Sequence, residues 1–481
     1  MRFPAITYFA PGAFAGRLQV SGSSQRTGVV MAVTRDQLKR QAEADGIEFF
    51  FAMFVDMHGK PCAKLIPAAS FDLMMDGGAG FAGFAAGPMG QTPMDPDLIA
   101  VPDPNSYTKV PWLPGMAVIQ CDIAVEDELW PFAPRVILRN LLKDVEARGL
   151  TYNVGFEPEY FLVRRNENGS IRIADPLDTA EAPCYDVKAL TRMLPHLTEV
   201  SRYCNELGYT NYANDHEDAN GQFEQNFKYA DALTSCDRLI FFRYMVHAIA
   251  QRDGMLATFM PKPFHTLTGN GLHVHSSLWR GDEALFTDEN DKRGLGISKM
   301  AYQFAAGILT HAKAASAITC PTVNSYKRIG VGAPTSGATW APSYASYGGN
   351  NRTQMLRIPE GNRIEHRMVD GSANPYLALT AILASGLDGI DRDLDPGEPN
   401  TENLHKLAPE AAAARGFVSM PPTLLHATEA LEGDAVLRKA FGKDASGRDY
   451  LDYYISVKRN EFGAWHSRVS DWEVDKYLTL F

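Results

Sequence analysis

The segment Gly-Asn-Gly-Leu-His-Val-His-Ser-Ser, at residues 269–277, decides the fold class. In it His273, His275 and Ser277 alternate with small or apolar residues. This period of two predicts a β-strand with one polar face and one apolar face. The solvated face of an antiparallel sheet would show the same alternation, so this strand alone does not establish a functional site.

Two further segments show the same alternation. Glu157 and Glu159 are two residues apart in one, and Arg363, Glu365 and Arg367 follow the same spacing in the other. Together the three strands carry both signs of charge and several metal-ligand side chains. Carboxylate oxygens suit hard divalent cations, and imidazole is a minority ligand for magnesium or manganese. The three strands therefore favour a sheet that carries a charged, metal-binding face.

The segment 215–224 contributes two more carboxylates. Glu217 and Glu224 flank a turn at Gly221, which places both within reach of one centre. A polar hairpin loop with no such role is the alternative interpretation. The segment therefore adds weight only in combination with the three strands.

Arg328, Arg352 and Arg357 follow within two short polar segments. Arginine pairs bidentately with carboxylate and phosphate groups, although a surface salt bridge is the commoner role for any single arginine. Arginines that converge with glutamates and a histidine suit phosphoryl transfer, which needs bound metal and fixed cations to neutralise charge. The glycines at 77–90 are followed by no Lys-Ser/Thr pair, so they form no P-loop, and this segment is predicted to be a mobile loop.

Local patterns predict further elements. Thr34–Asp45 is predicted to be a helix and Thr151–Arg165 a strand. The proline-rich segment 98–114 shows little regular pattern, and a long helix is predicted over Asp186–Leu207.

These motifs, in this order, resemble the glutamine synthetase family over nearly all of residues 34–481. The motifs are Glu157-Pro158-Glu159, His216-Glu217 with Gly221-Gln222 and Glu224, Gly269–His275, Asn324–Arg328, Asn351–Arg357, Arg363–Arg367 and Asn374-Pro375-Tyr376-Leu377. The resemblance implies an α+β fold with a small N-terminal β-grasp domain at 31–132. A large catalytic domain with a curved antiparallel sheet would follow at 133–481. Residues 1–30 lack Asp and Glu and are expected to form a flexible extension.

The resemblance also implies roles for the residues at matching positions. Mg²⁺ or Mn²⁺, two or three ions per site, would be held by Glu159, Glu217 and Glu224 and by Glu157, His273 and Glu365. Glutamate would contact Glu159, Gly269, His273, Arg328 and Arg367. ATP would contact His275, Ser277, Arg352 and Arg357. The amine pocket would contain Asp56, Tyr185, Glu217 and Trp340, and the catalytic residues would be Asp56, Arg328 and Arg352.

The activity implied is ATP-dependent ligation of glutamate to an amine through γ-glutamyl phosphate. In the family Asp56 would reach into the neighbouring subunit's site. The chain is thus expected to form a homododecamer of two rings, with active sites at subunit interfaces.

Two departures from the family pattern concern the amine. In the flap at 330–342, Trp340 stands where a glutamate usually closes the ammonium site, and Ala86–Met89 replaces a more polar segment. An apolar wall with an indole face suits a methylated ammonium better than ammonium. The sequence is accordingly similar to the branch of type III glutamate–ammonia ligases and γ-glutamylmethylamide synthetases, and methylamine is the favoured amine. Ammonia, as in a glutamine synthetase, and a longer amine stay open.

Two other classes remain as alternatives: a guanidino kinase, and a non-catalytic assembly or nitrogen-sensing homologue. Retention of Asp56, Gly269 and Arg367 argues against the first, and the presence of all six candidate metal ligands argues against the second. A net charge of −11 argues against a nucleic-acid partner. The densest apolar runs are too short to span a bilayer, and six scattered cysteines fit a reducing cytoplasm.

Overall fold

The computed structural model describes residues 33–329, 341–407 and 409–481. The predicted extension at 1–30 lies outside these ranges. Among the described helices, none combines the length and the apolar character needed to cross a bilayer.

Helices and strands alternate irregularly along the chain. The helices are α1 (Arg35–Ala44), α2 (Phe71–Gly77), α3 (Gly83–Ala86), α4 (Pro134–Ala147), α5 (Val187–Arg192), α6 (Leu194–Glu206), α7 (Ala232–Arg252), α8 (Lys299–Thr319), α9 (Pro375–Asp391), α10 (Pro409–Ala414), α11 (Leu424–Glu432), α12 (Ala435–Phe441), α13 (Tyr450–His466) and α14 (Asp471–Tyr477). The strands are β1 (Phe49–Val55), β2 (Pro61–Pro67), β3 (Ala79–Phe81), β4 (Leu98–Pro102), β5 (Thr108–Lys109), β6 (Met116–Val125), β7 (Glu128–Leu129), β8 (Thr151–Arg165), β9 (Ile171–Ile173), β10 (Asn211–His216), β11 (Gln222–Phe227), β12 (Ala230–Asp231), β13 (Leu256–Thr258), β14 (Leu272–Arg280), β15 (Glu283–Ala284), β16 (Tyr344–Ala345), β17 (Tyr347–Gly348), β18 (Leu356–Arg357), β19 (Ile364–His366) and β20 (Val418–Ser419).

The N-terminal part of the described chain forms a seven-stranded sheet. Five of its strands are neighbours in the order β2-β1-β6-β4-β3, and β5 and β7 each pair with β6. β1 and β2 form an antiparallel hairpin, whereas β1 runs parallel to β6, which gives the mixed pairing of a β-grasp. The inward side chains of β1, Phe50 and Phe54, pack with Leu38 of α1 in one apolar cluster. Thr34 caps α1 by accepting the backbone N–H of Gln37.

The remainder is built around an eleven-stranded sheet. Seven of its strands are neighbours in the order β10-β11-β8-β14-β19-β18-β17, while β9, β12 and β13 pair with β8 and β15 pairs with β14. Its central strands are antiparallel, and the register sets His273 opposite Glu157 and His275 opposite Glu365. On the other face, Phe156 shares one hydrophobic core with apolar side chains of α7, α8 and α9. The sheet therefore has an apolar face on helices and a charged face, as the alternation in the sequence predicts. This confirms the α+β class.

Arg135, at the start of α4, links the N-terminal sheet to helix α7. Its buried guanidinium contacts Asp122 of β6, Asp103 after β4 and Asp237 of α7 at 2.7–2.9 Å. Arg139, one helical turn later, adds a second contact to Asp103 at 2.7 Å. A buried arginine is stable only when carboxylates compensate its charge, so this network fixes the angle at which the N-terminal sheet meets the helices.

Three local predictions are wrong. The helix predicted over 186–207 is two helices, α5 and α6, because Pro195 opens the second and cannot continue the first. The loop predicted at 77–90 contains β3 and α3, and the irregular segment predicted at 98–114 contains β4. β3 pairs with β4, and β4 pairs with β6. Sheet pairing thus orders segments whose own composition favours loops.

Candidate active site

The charged face of the large sheet lines a cavity of about 600 Å³. Strands β8, β10, β14 and β19 and the loops after β13 and β17 supply its walls. Its lining includes the predicted residues Glu157, Glu159, Tyr185, Glu217, Glu224, Gly269, His273, His275, Arg328, Arg352, Arg357, Glu365 and Arg367. Residues scattered over more than two hundred positions of the sequence therefore meet at one site.

One cluster in this cavity consists of Glu157, His273 and Glu365, whose ligand atoms lie within 4.8 Å of one another. Nδ1 of His273 lies 3.3 Å from Glu157 and 3.6 Å from Glu365. Burial would raise the pKa of Glu157, but His275 and His273 lower it well below its usual range. Glu157 is therefore a carboxylate, ready to accept a cation or a proton donor.

A second group of carboxylates lies beside the first. Glu159 and Glu224 form a set with His273, and Glu217 and Glu224 form another with Asp215, each within 4.8 Å. Burial, and then Glu159 and Asp215, raise the pKa of Glu217 well above its usual value. Burial, and then Glu217, raise that of Glu224 in the same way. Carboxylates that repel one another at close range are stable as anions only when positive charge lies between them.

This donor set fits divalent metal ions. Oxygen ligands dominate it, one imidazole is present, and close buried carboxylates need positive charge between them. The structure groups Glu157, His273 and Glu365 as the sequence analysis groups them. The other predicted set is divided, because His273 lies with Glu159 and Glu224 while Glu217 lies nearer Asp215.

Arginines form another part of the cavity wall, next to Glu365. Arg357 and Arg367 donate to the two oxygens of Glu365 at 2.6 and 2.5 Å. Arg328 is held by the carbonyl oxygen of Met368 at 3.1 Å. Arg352 also lines the cavity, and its positive charge acts on Tyr185. Fixed guanidinium groups around an open space suit a carboxylate or a phosphoryl group.

The loop before β14 approaches this wall closely. A Cβ at Gly269 would collide with the carbonyl oxygen of Pro261, so only glycine fits there. Two residues on, the N–H of Gly271 donates to Glu159 at 2.6 Å. Gln222 donates to the same carboxylate at 3.2 Å. Glu159 is thus oriented by the loop and by the turn at 217–222.

A second cavity, of about 360 Å³, adjoins the first through Glu157, His275 and Arg363. Ser277 lies here, beside the stacked rings of Tyr229 and Trp279 with centroids 6.3 Å apart. An aromatic pair next to an arginine-lined space offers a surface on which a planar base can stack.

The predicted amine residues are not all in the cavity. Tyr185 and Glu217 line it, and Trp340 lies outside the described residues. Asp56 lies on the β1–β2 turn and is absent from the cavity lining. Its carboxylate accepts the backbone N–H groups of His58 and Lys60 at 2.9 and 3.0 Å. A side chain at position 87 would collide with that carboxylate, which explains the glycine.

Several residues of the cavity were not predicted from the sequence, among them the ionisable groups of Asp215 and Cys184. Asp215 faces Glu157 and Glu159, and burial together with those two carboxylates raises its pKa to about 6. It lies near the end of β10, two residues before Glu217, so the spacing rule used for the other strands would have found it. Cys184 also lines the cavity, and burial beside Glu217 raises its pKa to about 12. No pattern in the sequence singles out this cysteine.

A glutamine-synthetase-type catalytic fold is defined by the charged sheet face, the carboxylate–histidine clusters and the arginines beside them. The chain belongs to the glutamine synthetase family: the family's catalytic domain, described as "Glutamine synthetase, catalytic domain", matches residues 131–477.

The similar proteins are named for two different activities. The chain is 45% identical to a glutamate–methylamine ligase of Methyloversatilis universalis over 436 residues, 90% of this chain and 97% of that protein. It is 41% identical to a glutamine synthetase of Rhizobium leguminosarum bv. phaseoli over 439 residues, 91% of this chain and 98% of that protein. A solved structure described as a GmaS/ADP complex superimposes with a TM-score of 0.85 at 43% identity, over 92% of this chain and 99% of the other.

Proposed function

We propose that this protein is an ATP-dependent glutamate–amine ligase that joins methylamine to the side-chain carboxylate of glutamate. The observation that carries the proposal is the single cavity in which the candidate metal ligands face Arg328, Arg357 and Arg367. The similarity to a glutamate–methylamine ligase over 90% of the chain supports methylamine as the amine. The product would be γ-glutamylmethylamide, with ADP and phosphate.

Two groups of residues would hold the divalent ions. Glu157, His273 and Glu365 would form one set, and Glu159, Glu217 and Glu224 the other, with Asp215 close to the second. The bound Mg²⁺ or Mn²⁺ would neutralise the phosphates of ATP and the developing charge. Nε2 of His273 lies 3.7 Å from Glu159, and Nδ1 lies 3.6 Å from Glu365. The histidine would therefore link the two sets.

The other residues would bind and orient the substrates. His275, Arg352 and Arg357 would contact the phosphates of ATP, with Ser277 and the stacked pair of Tyr229 and Trp279 toward the base. Arg328, Arg367 and the backbone at Gly269 would hold glutamate. The γ-carboxylate would then attack the terminal phosphoryl group in line, which yields γ-glutamyl phosphate.

The amine would arrive as a cation and meet carboxylates. Glu217 and Tyr185 would bind it in this chain, Asp56 of a neighbouring subunit would take its proton, and Trp340 would cover its methyl group. The free amine would attack the acyl phosphate and release phosphate, while Arg328 and Arg352 stabilise the developing charge.

Sharing of the site between subunits requires an assembly, which we propose is a homododecamer of two rings in the cytoplasm. The position of Asp56 away from its own cavity supports a shared site. The C-terminal segment supports further contacts between copies, because Val469, Trp472 and Leu478 are largely exposed and Phe481 is fully so. Analytical ultracentrifugation measures the number of chains.

The deciding experiment measures phosphate release from ATP with glutamate while methylamine or ammonium is titrated. We expect a higher kcat/KM with methylamine. A higher kcat/KM with ammonium would make the protein a glutamine synthetase, which the 41% identity to such an enzyme also supports. Release with neither amine but with a longer one would keep the ligase and change its substrate. No release with any amine would contradict the proposal.

A further inference from the structure

A buried aspartate–histidine pair lies behind the amine side of the cavity. Nε2 of His216 is 2.7 Å from Oδ2 of Asp178, and both side chains are buried. Nδ1 of His216 lies 2.9 Å from the carbonyl oxygen of Glu217. A carbonyl oxygen can only accept, so Nδ1 donates to it, and the ring is fixed from both sides.

Asp178 also holds the far end of the turn that follows. It accepts the backbone N–H of Gly221 at 2.6 Å and the side-chain amide of Asn220 at 3.0 Å. Through His216 it is connected to the carbonyl of Glu217 at the near end. One carboxylate therefore fixes both ends of the turn 217–221, the segment that carries Glu217 and leads into Gln222.

The backbone of His216 holds a third element. Its carbonyl oxygen accepts the N–H of Tyr185 at 2.9 Å. Tyr185 has φ of 63°, a conformation that a residue with a side chain adopts only when its surroundings impose it. His216 thus contacts, through ring and backbone, the two residues of this chain that the proposed function assigns to the amine.

We propose that the Asp178–His216 pair positions the amine pocket by fixing Glu217 and Tyr185 relative to each other. Neither member lines the cavity, so both act through other residues. A carboxylate that fixes a histidine, which in turn orients a binding group, has a large effect without touching a ligand. This inference rests on the proposed function, since it assigns these residues to the recognition of the same substrate.

The test compares the KM for each substrate in Asp178→Asn with that of the wild-type enzyme, at saturating Mg²⁺. We expect the KM for methylamine to rise about 10-fold or more. The KM for ATP should change much less, because the groups that face the nucleotide lie on other elements. Asn220→Ala, which removes one donor to Asp178, should raise the same KM by a smaller factor and retain the fold.

A matched control separates positioning from loss of stability. His311 lies between Asp388 and Asp434, at 3.0 and 2.6 Å, and is remote from the cavity lining. His311→Gln should lower the thermal midpoint and leave the KM for methylamine unchanged.

The outcomes are distinguishable from failure of the proposed function, which would appear as no amine-dependent phosphate release by the wild-type enzyme. If the wild-type enzyme is active, an unchanged KM for methylamine in both Asp178→Asn and Asn220→Ala overturns the inference. So does a rise of equal size in the KM values for methylamine, glutamate and ATP. If Asp178→Asn does not fold, the result with Asn220→Ala decides.

Discussion

At the scale of single residues, the cavity contains carboxylates that lie close together and repel one another. Glu217 and Glu224 lie together, the first half-buried and the second buried, whereas Glu365 is compensated by Arg357 and Arg367. The protein thus sets a paired carboxylate and unpaired carboxylates side by side. The unpaired carboxylates depend most on a bound cation, whereas Glu365 is a candidate metal ligand that is also paired with Arg357 and Arg367.

Glu365→Ala tests the importance of this carboxylate, which the candidate metal site shares with two arginines. The change removes a candidate metal ligand and leaves two arginines without their shared partner, so we expect kcat to fall at least about 100-fold. Amine-dependent phosphate release measures it. Glu398→Gln, which alters an exposed glutamate paired with Arg293, should retain full activity. Near-normal turnover by Glu365→Ala would remove this residue from the metal site.

Trp340→Glu tests the choice of amine. A methyl group buried against an indole gains about 0.8 kcal/mol, so loss of the apolar wall should reduce the preference for methylamine over ammonium by about fourfold. The ratio of the two kcat/KM values measures the effect. Trp340→Phe retains an aromatic face and should preserve the ratio. An unchanged ratio in Trp340→Glu would show that another residue covers the methyl group.

Part of the cavity could be predicted because strand alternation is a local property, and the other candidate residues came from the resemblance to the glutamine synthetase family. Glu157, His273 and Glu365 follow from the alternation before any tertiary structure is known. Asp215 obeys the same rule, but the interpretation of its segment as a glycine turn singles out only Glu217 and Glu224. The partners of His216 could not be predicted, because the contact with Asp178 joins residues 38 positions apart through a loop without periodicity.

At the scale of secondary-structure elements, α4 connects the N-terminal sheet to α7 through Arg135. Burial alone would raise the pKa of Asp103, but Arg135 and Arg139 lower it to about 2. A carboxyl whose pKa is lower in the folded state than in the unfolded state stabilises the fold above the unfolded value. That contribution is lost as the pH falls from about 4 to about 2.

Asp103→Asn should therefore destabilise the protein at pH 7 by about 1–2 kcal/mol, since solvent partly screens the carboxyl. The difference from wild type should shrink as the pH is lowered to 4 and then to 3. Urea unfolding at the three pH values measures it. Asp391→Asn, at an exposed pair with Arg148, should have a much smaller effect. A difference that stays constant with pH would show that the ion pairs with Asp103 are not its cause.

Helix and strand boundaries were predictable where caps and periodicity agree, as for α1 and β8. The predictions of these boundaries were wrong where a single residue ends a helix or where a strand forms only by pairing with a distant segment. Pro195 divides α5 from α6 although the apolar period continues across it. β3 and β4 exist because each finds a neighbouring strand, and the choice of partner is not encoded within either segment.

At the scale of the whole molecule, the two halves of the proposed site lie in different parts of the chain. The cavity belongs to the large sheet, and Asp56 belongs to the β1–β2 turn, where Asn374 at the start of α9 holds its carbonyl oxygen at 3.0 Å. A complete site would then need two copies of the chain in a defined arrangement.

Mixing two inactive variants tests that arrangement. Asp56→Ala and Glu365→Ala, dissociated and reassembled together in equal amounts, should recover about a quarter of the wild-type activity, because random neighbours combine two intact halves at that frequency. Glu365→Ala mixed with Arg357→Ala, both defective in the same cavity, should recover none. Absence of recovery in the first mixture, with assembly verified by ultracentrifugation, would place Asp56 within its own subunit's site.

The location of Asp56 outside its own cavity has an arithmetical consequence for the assembly. In an open row of chains the first turn and the last cavity both lack a neighbour, so complete sites number one fewer than chains. A single chain then has none. Closing the row into a ring gives every chain a complete site and leaves no unused end. Specific activity should therefore rise with protein concentration until rings close, and stay level beyond that point.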